Sequence, residues 1–355
     1  MIRVGLIGFG FVSKTFHIPL LLGTDGYEIT AVSSSRPADV LSVLPEVDVM
    51  SDPTTLITDR NVDLVVIATP NETHAPLAEA AMRAGRNVVV DKPFTVTVEE
   101  ARHLARVAKE CGVVLSVFQN RRWDSDFLTI RNAIERDVVG RVVVFESRID
   151  RYRAEVRDRW REMPGPGAGL LYDLGPHLID QALVLFGIPE TVSCTLAKQR
   201  DGARTDDFFQ VVLRYGSMVA TLQCGSLVSG GTPRFSVHGD RASVVKVKPD
   251  VQEDQLKAGV KPGERDWGVD PNNAVIYEGG SGAARELKAA RGDQRGYYMA
   301  LRDALDGRAQ NPVPAEQGAT VMAIIEAAFR SDREGRRVFP ELTDDERAAW
   351  SNRGL

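Results

Sequence analysis

Met1-Ile2-Arg3-Val4-Gly5-Leu6-Ile7-Gly8-Phe9-Gly10-Phe11-Val12-Ser13 opens the chain. Residues 3–7 read as a buried strand, and the two glycines after it lead into a helical pattern, the context in which a Gly-x-Gly turn binds a dinucleotide. Without Cβ atoms the chain turns tightly there and aims backbone N–H groups and a helix N-terminus at a pyrophosphate. Gly8, Gly10, Phe11 and Val12 are the expected cofactor-binding turn. Ser13 stands at the third glycine of the pattern, which predicts looser packing of helix on strand.

Working outward, further short apolar runs at residues 28–33, 64–68, 87–90 and 113–117 alternate with helical stretches at residues 75–84 and 98–111. In the helical stretches Ala, Leu and Val recur every three or four positions. Strand–helix alternation implies α/β, with a parallel, doubly wound sheet whose ligand lies at the carboxyl ends of the strands. Those ends carry Gly8-Phe9-Gly10, Ser33-Ser34-Ser35, Thr69-Pro70-Asn71, Asp91-Lys92-Pro93 and Gln119-Asn120-Arg121. Thr69 and Asn71 are assigned to the cofactor, with His74 on the same loop.

After residue 120 the pattern changes to longer alternating strands at residues 141–149, 191–197, 208–215, 218–225 and 234–238, the mark of an α+β domain with a largely antiparallel sheet. One face is expected to be packed by helices such as residues 177–186, and the other to be free for a partner. The expected domains are 1–120, binding the dinucleotide, and 121–355, binding substrate and serving oligomerisation, with the C-terminal segment packing back on the first domain. Residues 249–296, rich in Gly, Pro, Asp and Lys, read as a long surface excursion. Residues 317–334 read as a closing helix.

Composition excludes several classes. The 355 residues hold 44 Lys and Arg against 49 Asp and Glu, a net charge of −5. That balance has no basic footprint for nucleic acid or an anionic membrane. No apolar run approaches the roughly 20 residues that cross a bilayer. The opening strand lacks the features of a secretory signal, so the expected compartment is the cytoplasm. Three dispersed cysteines and five histidines without ligand spacing argue against disulfides and metal.

The end of the second strand distinguishes the two nicotinamide dinucleotides. A carboxylate there would bind the ribose 2′-hydroxyl, but the chain reads Ser33-Ser34-Ser35-Arg36. Hydroxyls of Ser34 and Ser35 with the Arg36 guanidinium suit a 2′-phosphate, so NADP(H) is expected over NAD(H). Lys92, its backbone fixed between an apolar strand and a proline, is placed near the nicotinamide. Asp173 and His177 are four residues apart and share one face where the chain is helical. Pro176 means either that the helix starts near Asp173 or that it is distorted there.

Gly8-x-Gly10, Asp91-Lys92-Pro93 and Asp173-x-x-x-His177 together resemble the glucose–fructose oxidoreductase/inositol dehydrogenase/rhizopine catabolism family over essentially the whole chain. Residues 8–17, 32–37, 120–124 and 157–162 are most similar to its NADP-dependent scyllo-inositol dehydrogenases. The resemblance implies a Rossmann domain followed by an open-faced mixed sheet, a homodimer or homotetramer, and a catalytic set of Lys92, Asp173 and His177. Asp91 stands where the family commonly has glutamate.

The expected chemistry is hydride transfer between nicotinamide and a secondary alcohol or ketone of a cyclic polyol or sugar, scyllo-inositol first. His177 would act as proton acceptor, Asp173 as its orienting partner or as a substrate hydrogen-bonding group, and Lys92 as the cation favouring alkoxide charge. A sugar or dicarbonyl reductase and a non-catalytic NADP(H) sensor are the rival readings. Asn120, Arg122 and Trp123 are expected to line the substrate cleft between the domains. The run at residues 157–162 reads as a solvated charged face, or through Trp160 as a substrate lid or subunit contact.

Overall fold

The computed structural model describes residues 1–351; residues 352–355, the end of the second expected domain, lie outside the described residues. The chain divides into two compact units. One comprises residues 1–123, 252–267 and 293–319, and the other, among the described residues, 124–251, 268–292 and 320–351.

The first unit is built on β1 (Ile2–Ile7), β2 (Tyr27–Ser33), β3 (Asp48–Met50), β4 (Leu64–Ile67), β5 (Asn87–Val90) and β6 (Leu115–Val117). They pair in parallel in the order β3-β2-β1-β4-β5-β6. The four residues of β4 are wholly buried, because helices cover both faces of such a sheet and its central strands must be apolar on both sides. Each fully buried Val or Leu contributes about 1.5–3 kcal/mol. The helix Val98–Cys111 starts at a capping box between Thr97 and Glu100 and stops at Gly112, in the left-handed conformation. The order reverses direction between β1 and β4, which is where a doubly wound sheet opens its ligand crevice.

The second unit holds β7 (Val142–Arg148), β8 (Thr191–Ala197), β9 (Phe208–Tyr215), β10 (Met218–Gly225), β11 (Phe235–Gly239), β12 (Ala242–Lys246), β13 (Ala274–Glu278) and β14 (Ala284–Leu287). Their order is β14-β13-β12-β11-β7-β10-β9-β8, antiparallel throughout except for β10 beside β7. Phe209, Val211 and Leu213 of β9 are buried and alternate with Gln210, Val212 and Arg214. The helix Leu170–Phe186 packs on β9 and β10, and Ser125–Glu135 on β11 and β12. The opposite face is more exposed, with Val144 and Tyr277 among its open side chains.

Two sequence expectations need correction. Residues 249–296 are not a surface excursion: they hold the helix Gln252–Lys257 and strands β13 and β14, and Trp267 is completely buried with its Nε1 donating to Asp293 Oδ1 at 2.9 Å. Dense turn residues masked short elements whose burial comes from tertiary packing. The helix expected at 177–186 begins at Leu170, so Pro176 lies inside it and removes one rung of its hydrogen-bond ladder. The short β3 and β12 also went unread, β3 because three residues carry no period.

Candidate active site

In the first unit the chain leaves β1 through Gly8, whose φ is +96°. A Cβ there would lie 2.5 Å from the Ala68 carbonyl oxygen, so this position demands glycine on two counts. A Cβ on Gly10 would meet nothing within 4 Å; the space beside it is open. The Ser13 side chain is buried and its hydroxyl donates to the Gly8 carbonyl at 2.7 Å. The looser packing expected at Ser13 is thus offset by a bond that closes the turn. The helix beyond takes a π-helical turn at Ser13–His17 just ahead of Pro19, which cannot donate to the carbonyl four residues back. Phe11 is exposed and Val12 half-buried.

A cleft of about 270 Å³ adjoins this turn, lined by Gly8, Phe9, residues 33–36, Ser51 and Thr69. Its polar side chains are hydroxyls and one guanidinium, and none of its lining residues is acidic. The Ser34 hydroxyl accepts from the Arg36 backbone N–H at 3.1 Å. Arg36 donates to the Phe9 carbonyl at 2.6 Å and pairs with Asp39 at 3.2 Å, both side chains half-exposed. The guanidinium is therefore held at the end of the cleft by a backbone carbonyl of the glycine turn. Hydroxyls and an anchored cation fit a phosphate, and an open space beside Gly10 fits the close approach of a dinucleotide.

His74 is fully buried, with Nδ1 2.9 Å from the Pro93 carbonyl and Nε2 3.0 Å from that of Thr69. Burial pushes its pKa down, against the opposing charge of Asp91. Through these two bonds His74 ties the loop after β4 to the loop after β5. Asn71 is buried and Thr69 Oγ1 lies 2.6 Å from Thr73 Oγ1. Lys92 is half-buried and precedes Pro93 through a cis peptide bond. Asn120 to Trp123 form one 3-10 turn in which Asn120 is buried. Arg122 donates to the Pro312 carbonyl and to Gln317 Oε1, both at 2.9 Å, and the Trp123 ring meets Tyr297 edge-on at 5.9 Å.

In the second unit Asp173 and His177 lie one turn apart on the helix Leu170–Phe186, and His177 is buried to 4% exposure. The residue before the helix is Gly169, φ +101°, where a Cβ would collide with the Asp206 carboxylate. Asp206 needs that space because it caps the helix from another segment: its Oδ2 accepts from Leu171 N–H at 2.8 Å and its carbonyl from Leu170 N–H at 2.9 Å. Burial raises the Asp206 pKa despite these bonds.

Asp173 faces Arg161 at 3.6 Å and Arg151 at 3.8 Å. The run at 157–162 is not simply solvated. Glu162 is buried, accepting from Arg159 Nε at 2.7 Å and from Arg157 N–H at 3.0 Å, with Arg200 at 3.0 Å. Burial opposes its charge, yet these donors hold its carboxyl below the usual value. Trp160 is 37% exposed, with the Arg161 guanidinium 4.4 Å from its ring centre.

Sequence reasoning missed Arg151, Arg153, Arg200 and Asp206 in this neighbourhood. The available signal was the recurrence of arginine at every second position, 151 and 153 and then 157, 159 and 161, unlike the mixed charges of an ordinary solvated run. Among the described residues no group of three or more His, Cys, Asp or Glu is placed to hold a metal ion, and no helix is long and apolar enough to cross a membrane.

Comparison with known proteins agrees with this architecture. Residues 2–119 match the NAD-binding Rossmann fold of an oxidoreductase family, and residues 131–339 match the C-terminal alpha/beta domain of the same family. The chain is 49% identical over 332 residues to an uncharacterized oxidoreductase of Escherichia coli (strain K12), across 93% of this chain and 96% of that one. It is 39% identical over 344 residues to scyllo-inositol 2-dehydrogenase (NADP(+)) of Bacillus subtilis (strain 168), across 96% of each. A crystal structure from Klebsiella pneumoniae matches with a TM-score of 0.93 at 49% identity over 98% of each chain. The chain therefore belongs to the glucose–fructose oxidoreductase/inositol dehydrogenase/rhizopine catabolism family and is an oxidoreductase built on a dinucleotide-binding Rossmann domain.

Proposed function

We propose that this oxidoreductase uses NADP(H) to interconvert a secondary alcohol and ketone on a cyclic polyol or sugar, with scyllo-inositol the first candidate. The observation that carries the cofactor assignment is the cleft after β2, where hydroxyls and Arg36 stand and no lining residue is acidic. A 2′-phosphate gains charge-assisted hydrogen bonds there. The substrate assignment is supported by the 39% identity with the Bacillus subtilis enzyme named for scyllo-inositol and NADP(+).

Bound nicotinamide supplies the hydride acceptor or donor. In the alcohol-to-ketone direction, His177 takes the hydroxyl proton on its imidazole. Asp173, one helical turn away, orients that imidazole or a substrate hydroxyl. Lys92 favours the developing alkoxide with its ammonium charge. Asn120, Arg122, Trp123 and Trp160 position the substrate, Arg122 through a guanidinium already fixed on Pro312 and Gln317. The exposed face of the second sheet is assigned to self-association as a homodimer or homotetramer.

The test is reduction of NADP⁺ and of NAD⁺ with a panel of inositol isomers and aldoses, followed by absorbance of the reduced nicotinamide. Turnover with an inositol is expected with NADP⁺, falling about 10²–10⁴-fold in His177→Ala while NADPH binding persists. Preference for NAD⁺, or undiminished turnover in the variant, would overturn the corresponding part. Light scattering on the intact protein tests the assembly.

A further inference from the structure

Within the second unit, five arginines, residues 151, 153, 159, 161 and 200, line one pocket beside Asp173. Four carboxylates share it, and each is already engaged. Glu162 is held by Arg159 and Arg200. Asp207 accepts from Arg200 Nε at 2.9 Å and from the Gln199 and Arg200 N–H groups. Asp206 caps the helix Leu170–Phe186. Asp173 lies between Arg151 and Arg161.

Arg153 is left over. Among the described residues its guanidinium has neither a carboxylate within ion-pair distance nor a hydrogen bond, although its backbone N–H is bonded to the Ser226 carbonyl. It is half-buried, and burial together with the charges of Arg151, Arg157 and Arg159 lowers its pKa from the usual arginine value, against the opposing charge of Asp173. A fold that only needed to be stable gains nothing by crowding among three other arginines a cation that has no ion pair of its own. Such unfavourable placement is expected where a ligand supplies the missing charge.

The pocket also limits what that ligand presents. Five cations against four carboxylates leave a surplus of one charge. The space between the side chains is about 20 Å³, that of about one or two waters. This admits the oxygens of one carboxylate but not a sugar ring, so the remainder of the ligand extends through the pocket's open side. Planar guanidinium donors match a planar carboxylate.

We propose that this arginine pocket is a subsite for a single carboxylate borne by a small polyhydroxy ligand, with Arg153 as its principal cation. The chain then prefers sugar and polyol acids to the corresponding neutral compounds. The extension from binding to turnover rests on Asp173 serving the alcohol oxidation proposed above; the binding itself does not.

The experiment is isothermal titration of the full chain with D-glucuronate and with D-glucose, which differ in the carboxylate, on the native protein and on Arg153→Gln and Arg153→Lys. Glucuronate is expected to bind about tenfold more tightly than glucose, with an advantage that shrinks at high salt. Arg153→Gln should equalise the pair and Arg153→Lys should restore part of the difference. Thermal melting separates a ligand site from a structural one: Arg153→Gln should melt no lower than the native chain. Equal affinities in the native protein, no glucuronate binding at millimolar concentration, an advantage retained in Arg153→Gln, or a lower melting temperature in that variant would each overturn the proposal. Glucuronate bound with the expected preference but without NADP⁺ reduction by glucuronate or any panel alcohol would leave the subsite standing and count against the alcohol oxidation.

Discussion

The hydroxyl of Ser13 donates to the carbonyl of Gly8 across 2.7 Å, joining the first turn of the helix to the residue that follows β1. Where a third glycine would bring helix and strand together by lacking a side chain, this chain brings them together with a part-buried hydrogen bond. Ser13→Ala removes that bond and leaves the part-buried Gly8 carbonyl short of a partner. It should lower stability by about 1 kcal/mol and weaken NADPH binding a few-fold, measured by urea unfolding and by fluorescence titration.

The two glycines of the turn should respond differently. Gly8→Ala forces a Cβ onto the Ala68 carbonyl at a positive φ, costing about 1–3 kcal/mol in strain and abolishing dinucleotide binding. Gly10→Ala places its methyl in open space, so its melting temperature should match the native protein while NADPH affinity falls. Retained affinity in Gly10→Ala would show that the cofactor does not approach there.

Arg36 is anchored by the Phe9 carbonyl at 2.6 Å and so presents its charge without a large ordering cost. Replacing it with Gln should weaken NADPH binding about tenfold and leave NADH binding unchanged. Parallel titration with both dinucleotides reads the difference directly.

His17 is completely buried beside the ring of Phe118, with its Nδ1 2.7 Å from the Tyr298 hydroxyl. Burial lowers its pKa to about 4 against the opposing charge of Asp91. The folded value lies below the unfolded value of about 6.5, so the unfolded chain takes up the proton first as pH falls. This contribution is whole above about pH 6.5 and declines toward about pH 4, by about 3 kcal/mol in all. Denaturant unfolding at about pH 7 and about pH 5 should show the loss, and His17→Gln should flatten it.

In the second unit Lys246 and Asp270 form an ion pair at 2.9 Å with both side chains at 0% exposure. Lys246→Met strands a buried carboxylate and should cost about 3–5 kcal/mol. Chemical denaturation is the check; a loss below 1 kcal/mol, on the order of a surface pair, would show that Asp270 is satisfied by Ser125 and Asn272 alone.

The sequence by itself determined the parallel doubly wound sheet, because β1, β2, β4 and β5 are apolar runs bounded by polar turns and their period is a local property. It also marked the glycine turn and Arg36, since a Gly-x-Gly after a strand and an acid-free end to β2 are both readable within a few residues. The one-face placement of Asp173 and His177 followed from helical spacing, while the extension of that helix back to Leu170 did not, because its cap is Asp206, which accepts from Leu171 thirty-five residues away in sequence. Tertiary structure alone decided that His74 is a buried tie between two loops, that residues 252–267 and 293–319 belong with the first unit, and that an arginine-rich stretch becomes a pocket. These depend on which carboxylates, carbonyls and apolar faces arrive from distant segments. A local pattern specifies a residue's own conformation, but burial and pairing of charge are properties of the company it keeps.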